Sequence, residues 1–292
     1  ENKKEIMLYN ENFFTSLACG ARVCKIKSNR TWSFPGCKTN TLTGKKTLNF
    51  FGDNKPLFAM SLKQYETFLN EHEVVRGTED AKLVSSIGKD IAKAAQTYFN
   101  YKGQPNLLDE YDWEYRLVKS DQVNAWCMPG GKIVFYTGIM GIADNPDGIA
   151  AIMGHEVAHA LADHGAQRMS MGIVQQAGGM ITAEVSKNQD ERKRERIMMA
   201  YGIGTTVGGM LPFSRKHESE ADKIGLELMT IAGYKPEEAP KLWARMKAQS
   251  KGKQPEFLST HPSEEKRIAN LKEWIPHAKA LAGEIKMTTA TN

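Results

Sequence analysis

Two histidines and a glutamate within five positions are the residues of this sequence best placed to do chemistry together. His155, Glu156 and His159 lie in the stretch IAAIMGHEVAHALA, where every other residue is apolar or glycine. Residues four apart project from one face of a helix, so both imidazoles can reach the same metal ion. In the pattern HExxH, two His nitrogens bind zinc and the Glu stands beside the remaining position. The spacing therefore predicts a zinc site.

The apolar neighbours of these three residues indicate that the helix is buried. A buried ionisable group without a partner costs several kcal/mol, and a bound metal ion would satisfy all three groups. Asn145 is a suitable N-cap, Pro146 suits the first helical turn, and Asp147 complements the helix dipole. The alternative, a surface helix with scattered polar residues, fits these neighbours poorly.

A zinc site of this kind needs a third protein ligand, and the segment SRKHESEADKIGLELMTIAGY offers candidates. A helix is expected from a cap at Ser214 to an end at Gly233. Glu218 and Asp222 are four residues apart on one face of it. One carboxylate could bind the metal while the second orients a ligating His. Taken alone, the pair could also be a solvated acidic helix start.

Elements upstream must position these helices. Residues 1–55 lack helical or strand periodicity, which predicts a poorly ordered arm, and helical patterns begin at residue 56. WEYRLVKS, VNAWCM and KIVFYTG read as strands, the last two joined by a Pro-Gly-Gly turn. The sequence thus predicts a basic N-terminal arm, residues 1–55, and one domain, residues 56–285, that contains a small antiparallel sheet.

Charge and cysteine usage restrict the possible functions. Residues 1–46 hold nine Lys and Arg against three Glu, whereas the remaining chain is nearly neutral. A basic arm can bind nucleic acid, but it lacks interleaved aromatic residues or a known fold motif, so no nucleic-acid partner is predicted. None of the four cysteines shows a CxxC spacing, which argues against a Cys-rich zinc site. Cys127 is expected to be a buried structural thiol.

The stretch 171–213 is rich in Gly, Met and Ala on both sides of the charge run at 186–196. Its second half carries no charge over 17 residues, which is short of the ~20 apolar residues that a membrane helix needs. We expect a mobile helical flap over the site, with membrane insertion as the alternative.

Four segments together resemble metallopeptidase family forty-eight. They are NAWCMPGGKIVFYTGIM, GHEVAHALADHGAQRMS, SRKHESEADKIGLELM and STHPSEEKRI, in the order and spacing of the family from about residue 70 to residue 280. The resemblance implies a predominantly α-helical α+β zincin (gluzincin) fold with a small antiparallel sheet. It also implies one Zn²⁺ per chain.

The resemblance assigns roles residue by residue. His155 and His159 would be zinc ligands, Glu218 would complete the ligand set, and Glu156 would be the general base. Asp222 would support a ligand His. His164 and His217 are out of register with the ligand pairs and are not assigned to the metal.

The family motif HPxxxxR matches His261-Pro262 and Arg267. In the family this His faces the active site, where it either stabilises the transition state or caps the zinc in a resting form, and Arg267 would support the site. The Asn-Ala to Pro-Gly-Gly segment implies an edge strand beside the cleft. Asn124, Gly131 and Ile133 are therefore expected to bind an extended substrate, with the strand at 131–137 pairing with it.

These expectations combine into a zinc endopeptidase that cleaves unfolded or misassembled proteins through water activated by the metal and by Glu156. The expected partners are extended polypeptides, with membrane-surface association as a further option. Similarity to the soluble envelope members of the family predicts a bacterial cell envelope location, either in the periplasm or as a lipoprotein. The alternative function is a non-catalytic, zinc-stabilised, chaperone-like binding factor whose site is plugged by His261.

Overall fold

Helices dominate the computed structural model, which describes residues 36–51, 54–249, 256–261 and 265–290. The helices are α1 (Lys55–Glu71), α2 (Glu79–Tyr101), α3 (Thr137–Ala143), α4 (Pro146–Leu161), α5 (His164–Val185), α6 (Glu191–Thr205), α7 (Leu211–Ile231), α8 (Glu238–Gln249), α9 (Glu256–Thr260) and α10 (Glu265–Ala290), with a π-helical turn (Thr206–Met210) between α6 and α7. The strands are β1 (Cys37–Thr39), β2 (Lys46–Leu48), β3 (Val74–Val75), β4 (Glu114–Val118), β5 (Ala125–Met128) and β6 (Lys132–Tyr136). The predicted α+β fold class is confirmed.

Four strands form one sheet in the order β3–β4–β6–β5. β5 and β6 are an antiparallel hairpin whose turn places Gly130 and Gly131 at φ values of 89° and 90°, which favour glycine. After this turn β6 lies between β4 and β5. It runs parallel to β4 rather than antiparallel. The sheet is therefore mixed, and only its β3–β4 and β5–β6 pairs are antiparallel as expected.

The position of β6 corrects the prediction that the strand at 131–137 pairs with an extended substrate. All five residues of β6 are buried, and the strand pairs with a neighbour on each side. Within the part of the chain that the structure describes, β5 has a strand partner on one side only. The edge strand beside α4 is therefore β5.

Helix α4, which carries the HExxH motif, is buried at every position from Gly148 to Leu161. A helix that is apolar all round is expected to lie inside a core. It crosses α7 at two glycines, since a Cβ atom on Gly154 would lie 2.7 Å from the carbonyl oxygen of Gly225. This close approach sets the HExxH face of α4 against the face of α7 that carries Glu218 and Asp222.

Three helix ends are predicted from the sequence, the start of α4 and both ends of α7, and two of them agree with the structure. The Asn145 side chain accepts a hydrogen bond from Gly148 N at 2.9 Å, and α7 ends before Gly233, which has a φ of 91°. The predicted cap at Ser214 is wrong, because α7 begins at Leu211 and continues directly from the π-helical turn. The preceding turn satisfies the backbone there, so no side-chain cap is required.

A short hairpin of β1 and β2 packs on the end of α4, although residues 1–55 showed no strand periodicity. The Asn40 side chain donates to Leu161 O at 3.3 Å, and Phe50 N donates to Ser170 Oγ at 3.0 Å. Residues 1–35, including Cys19 and Cys24, lie outside the described residues. The predicted division at residues 55 and 56 stays a prediction.

The segment 171–213 contains most of α5, all of α6 and the π-helical turn. Several of its large apolar side chains are exposed, among them Met180, Val185 and Met199, with 63%, 76% and 64% of their surface accessible. Among the described helices, none has both the length and the apolar character needed to cross a membrane. The role of this segment as a flap stays a prediction.

Candidate metal centre

Four buried side chains from three parts of the chain bring potential metal ligands together. They are His155 and His159 of α4, Glu218 of α7, and His261, which follows α9. One ligand atom from each lies within 4.8 Å of all the others. We refer to these four residues as the ligand cluster.

The spacing inside the ligand cluster fits a small divalent ion. His155 Nε2 lies 3.1 Å from both His159 Nε2 and His261 Nδ1. The Glu218 carboxylate lies 3.4 Å from His155 Nε2, 3.4 Å from His159 Nε2 and 2.9 Å from His261 Nδ1. Zinc holds its N and O ligands at ~2.0–2.1 Å, so the edges of its tetrahedron are about 3.3–3.4 Å long.

Unsatisfied atoms support the same interpretation. Among the described residues, the buried oxygens Glu218 Oε1 and Glu156 Oε1 have no hydrogen-bond partner. Buried polar atoms are normally paired, and orphaned ones point to an ion or water that would complete them. Two His and a carboxylate are a common donor set for zinc, so the residues present fit the predicted metal.

Electrostatics within the ligand cluster favour a charged carboxylate. Burial would raise the pKa of Glu218, but contacts with His155, His159 and His261 hold it far below its usual range. Burial lowers the pKa of His159, which keeps its ring neutral and able to bind a metal. For His155, Asp222 and Glu218 outweigh burial and raise the pKa to about 9.

Asp222 and Arg267 lie behind the ligand cluster, where the sequence predicted supporting residues. His155 Nδ1 is 3.1 Å from Asp222 Oδ1. Arg267 donates to both oxygens of Asp222, at 2.7 and 2.6 Å, and its Nη1 is 3.3 Å from Glu218 Oε2. Its guanidinium also stacks on the ring of Trp243 at 3.6 Å. Arg267 therefore neutralises Asp222 and restrains the side of His155 that faces away from the ligand cluster.

Glu156 lies next to the ligand cluster, and among the described residues its carboxylate oxygen Oε1 has no hydrogen-bond partner. Its Oε1 is 3.4 Å from His261 Nε2. Burial raises the pKa of Glu156, although His261 and His155 oppose the shift. A carboxylate with a raised pKa is a better proton acceptor than an ordinary one, which suits a general base.

The three predicted substrate contacts are not equally accessible. Asn124 directly precedes the edge strand β5, and its side chain accepts a hydrogen bond from Ala125 N at 3.0 Å. Ile133 is 0% exposed and its strand is internal, so it cannot pair with a substrate. Gly131 is buried in the turn against Trp113. The structure therefore contradicts the predictions for Gly131 and Ile133.

Sequence reasoning missed two residues that lie beside the ligand cluster. His164 Nδ1 is 2.9 Å from His159 Nδ1, and His164 Nε2 is 3.1 Å from a carboxylate oxygen of Glu220. Asp163 adopts a left-handed conformation with a φ of 57°. This break between α4 and α5 lies directly before His164, the residue that contacts His159. The signal available in the sequence was His164 itself, a polar residue five positions after His159 and next to the break at Asp163.

The surroundings of His164 and Glu220 determine their charges. Burial lowers the pKa of His164, which favours its neutral ring. Burial would raise the pKa of Glu220, but hydrogen bonds with His164 and Lys45 lower it to about 2. Glu220 is therefore a carboxylate at neutral pH. His217 stacks on His164 with ring centroids 4.0 Å apart but bonds to Gln167.

Comparison with known proteins agrees with the geometry. The sequence model of Peptidase family M48 matches residues 83–275. Mitochondrial metalloendopeptidase OMA1 of Schizosaccharomyces pombe is 36% identical over 174 residues, which cover 59% of this chain and 49% of that protein. Human metalloendopeptidase OMA1, mitochondrial, is 26% identical over 251 residues, or 84% of this chain and 47% of that protein.

The beta-barrel assembly-enhancing protease of Escherichia coli is 28% identical over 170 residues, or 54% of this chain and 33% of that protein. The chain spans about half the length of the OMA1 relatives that it matches. Those relatives, from yeasts, a plant and human, are named as mitochondrial. The prediction of a bacterial cell envelope location is therefore wrong. A family resemblance shared by bacterial and mitochondrial members carries no information about compartment.

Proposed function

The chain belongs to peptidase family M48, and from this premise we propose that it is a zinc-dependent endopeptidase of mitochondria that cleaves unfolded or misassembled polypeptides. The observation that carries the proposal is the ligand cluster with the buried Glu156 carboxylate beside it. The names of the OMA1 relatives support both the activity and the compartment.

His155, His159 and Glu218 would hold the metal in this proposal. A bound zinc ion acts as a Lewis acid and lowers the pKa of water to about 7. Glu156 accepts the proton of the attacking water and then donates it to the leaving amine. Asp222, held by Arg267, keeps the ring of His155 in place through these steps.

An extended substrate would pair with the edge of β5 that has no strand partner among the described residues. Main-chain hydrogen bonds to a sheet edge provide affinity without reading side chains, which suits unfolded polypeptides of varied sequence. Asn124, which directly precedes β5, would contact the substrate. The exposed apolar side chains of 171–213 suit a flap that holds extended polypeptide over the site.

Metal removal tests the proposed activity directly. We expect zinc-loaded protein to cleave a fluorescently labelled unfolded polypeptide, and chelation followed by desalting to reduce the rate at least about 100-fold, because a metal ion contributes several kcal/mol of transition-state stabilisation. Adding one equivalent of zinc should restore the rate, as measured by the release of labelled peptides. Cleavage that continues undiminished in metal-free protein would refute the proposal.

A second candidate function, a binding factor with a closed site, is favoured by the position of His261. Its Nδ1 completes the ligand cluster, and with a zinc ion held by His155, His159 and Glu218 it would take the fourth position that catalytic zinc sites leave open for water. In the peptidase, this arrangement would be a resting state that opens when His261 withdraws. In the binding factor, it would be permanent.

Replacing His261 with alanine separates the two functions. We expect zinc-loaded His261→Ala to cleave the unfolded polypeptide several-fold faster than the wild type, because the fourth position is freed. His277→Ala is the matched control, since the side chain of His277 is 59% exposed, and its rate should equal that of the wild type. If the wild type and His261→Ala both retain zinc and bind the polypeptide but produce no peptides, the binding factor is favoured.

A further inference from the structure

A chain of hydrogen bonds runs from the ligand cluster to the surface on the side of His159. His159 Nδ1 is 2.9 Å from His164 Nδ1, and His164 Nε2 is 3.1 Å from Glu220 Oε2. Glu220 Oε1 in turn accepts from Lys45 Nζ at 2.6 Å. We propose that His164 and Glu220 are positioning residues that hold the His159 ring with Nε2 directed at the metal. The inference rests on the metal centre of the proposed function.

The protons in this chain can be placed by elimination. Metal binding through Nε2 of His159 requires a lone pair there, so the proton of its neutral ring is on Nδ1. His159 Nδ1–H then donates to His164, whose Nδ1 must be an acceptor. His164 consequently carries its proton on Nε2 and donates it to the Glu220 carboxylate. Each link has one donor and one acceptor, so only this tautomer of His159 satisfies the chain.

Burial makes the hydrogen bonds nearest the ligand cluster the ones that orient His159. His159 is 4% exposed and His164 is 0% exposed, so water does not substitute for their mutual hydrogen bond. The outer end differs, because the side chain of Lys45 is 67% exposed. An exposed ion pair such as that of Lys45 with Glu220 contributes little to stability. Zinc affinity should therefore depend on His164 and Glu220 and should not depend on Lys45.

The two ligand histidines of α4 are thus restrained in parallel ways. Asp222 lies directly behind His155 and is neutralised by Arg267. On the side of His159, the carboxylate acts through an intervening imidazole. Partners of this kind orient a ligating His and raise its basicity, and their loss typically weakens metal affinity 10–100-fold.

Zinc affinity, measured by competition with a chromophoric chelator, tests the inference without requiring activity. His164→Phe keeps a ring that can stack on His217 but removes the acceptor, and we expect it to weaken zinc binding 10–100-fold. His164→Asn keeps an acceptor at the position of Nδ1 and should restore affinity to within a few-fold of the wild type. The visible bands of the cobalt-substituted protein should change in His164→Phe and return in His164→Asn.

His217→Phe is the matched control for packing. His217 stacks on the same ring and is 5% exposed, but its hydrogen bond goes to Gln167 rather than to a ligand. Wild-type affinity in this variant and in Lys45→Met is expected. If His164→Phe failed to fold, Glu220→Leu would interrupt the same chain, with the same expected loss of affinity.

Two results would overturn the inference. One is unchanged zinc affinity in His164→Phe. The other is an equal loss in His164→Phe and His217→Phe, which would indicate packing rather than orientation. A protein that bound zinc tightly but cleaved nothing, both as wild type and as His261→Ala, would refute the proposed peptidase, while these affinities would still decide the role of His164 and Glu220.

Discussion

Zinc-loaded Glu156→Gln is expected to cleave an unfolded polypeptide about 10²–10⁴-fold more slowly than the wild type, the usual contribution of a positioned general base. Glutamine has the shape of glutamate but cannot accept the proton of an attacking water. The Glu156 Oε1 atom lies 3.4 Å from His261 Nε2, and the amide oxygen of glutamine can face the same ring nitrogen, so the packing of the site is preserved. Zinc affinity should stay within a few-fold, because Glu156 is not in the ligand cluster.

Initial rates of peptide release and the zinc content of the same samples provide the measurement. Glu79→Gln is a suitable control, since it makes the same chemical change at a side chain that is 91% exposed. Equal cleavage by wild type and Glu156→Gln would reject Glu156 as the base and point to a contaminating protease. Loss of zinc together with activity would instead show that Glu156 helps to hold the metal.

Arg267→Ala is expected to lower the free energy of unfolding by about 3–5 kcal/mol, the cost of leaving a buried charge without its partner. The side chains of Arg267 and Asp222 are 6% and 2% exposed, and two hydrogen bonds of 2.7 and 2.6 Å join them. Without the guanidinium, the Asp222 carboxylate would be buried with its two hydrogen bonds from Arg267 lost, and the His155 ring would be the remaining partner opposite it. The truncation would also remove the stacking of Arg267 on Trp243.

Urea unfolding of the zinc-free protein measures this effect separately from metal affinity. A double variant, Arg267→Met with Asp222→Leu, removes both charges and should recover much of the lost stability. Lys279→Ala breaks the exposed ion pair with Glu237 and should cost less than about 1 kcal/mol. A loss in Arg267→Ala as small as that of Lys279→Ala would show that water reaches Asp222 and that the pair is not buried in solution.

Local periodicity in the sequence was sufficient to predict the inner part of the site. His155 and His159 share a face because they are four residues apart in a helix, and their apolar neighbours require that helix to be buried. The observed α4 meets both conditions. The same spacing argument offered Glu218 and Asp222 as a ligand and a supporting residue. The resemblance to the family added His261 and Arg267, and the structure brings all four to the same place. Their roles stay predictions until the variants are measured.

Only the tertiary structure decided that β6 is an internal strand and which residues support His159. The turn at Gly130 and Gly131 predicts that β5 pairs with β6, but the insertion of β6 beside β4 depends on non-local pairing. In the same way, His164 and Glu220 are 56 positions apart and meet because of the packing around α4 and the left-handed break at Asp163. A sequence pattern reports spacing along one element. Contacts between elements depend on how their buried faces fit together, and no single element specifies that fit.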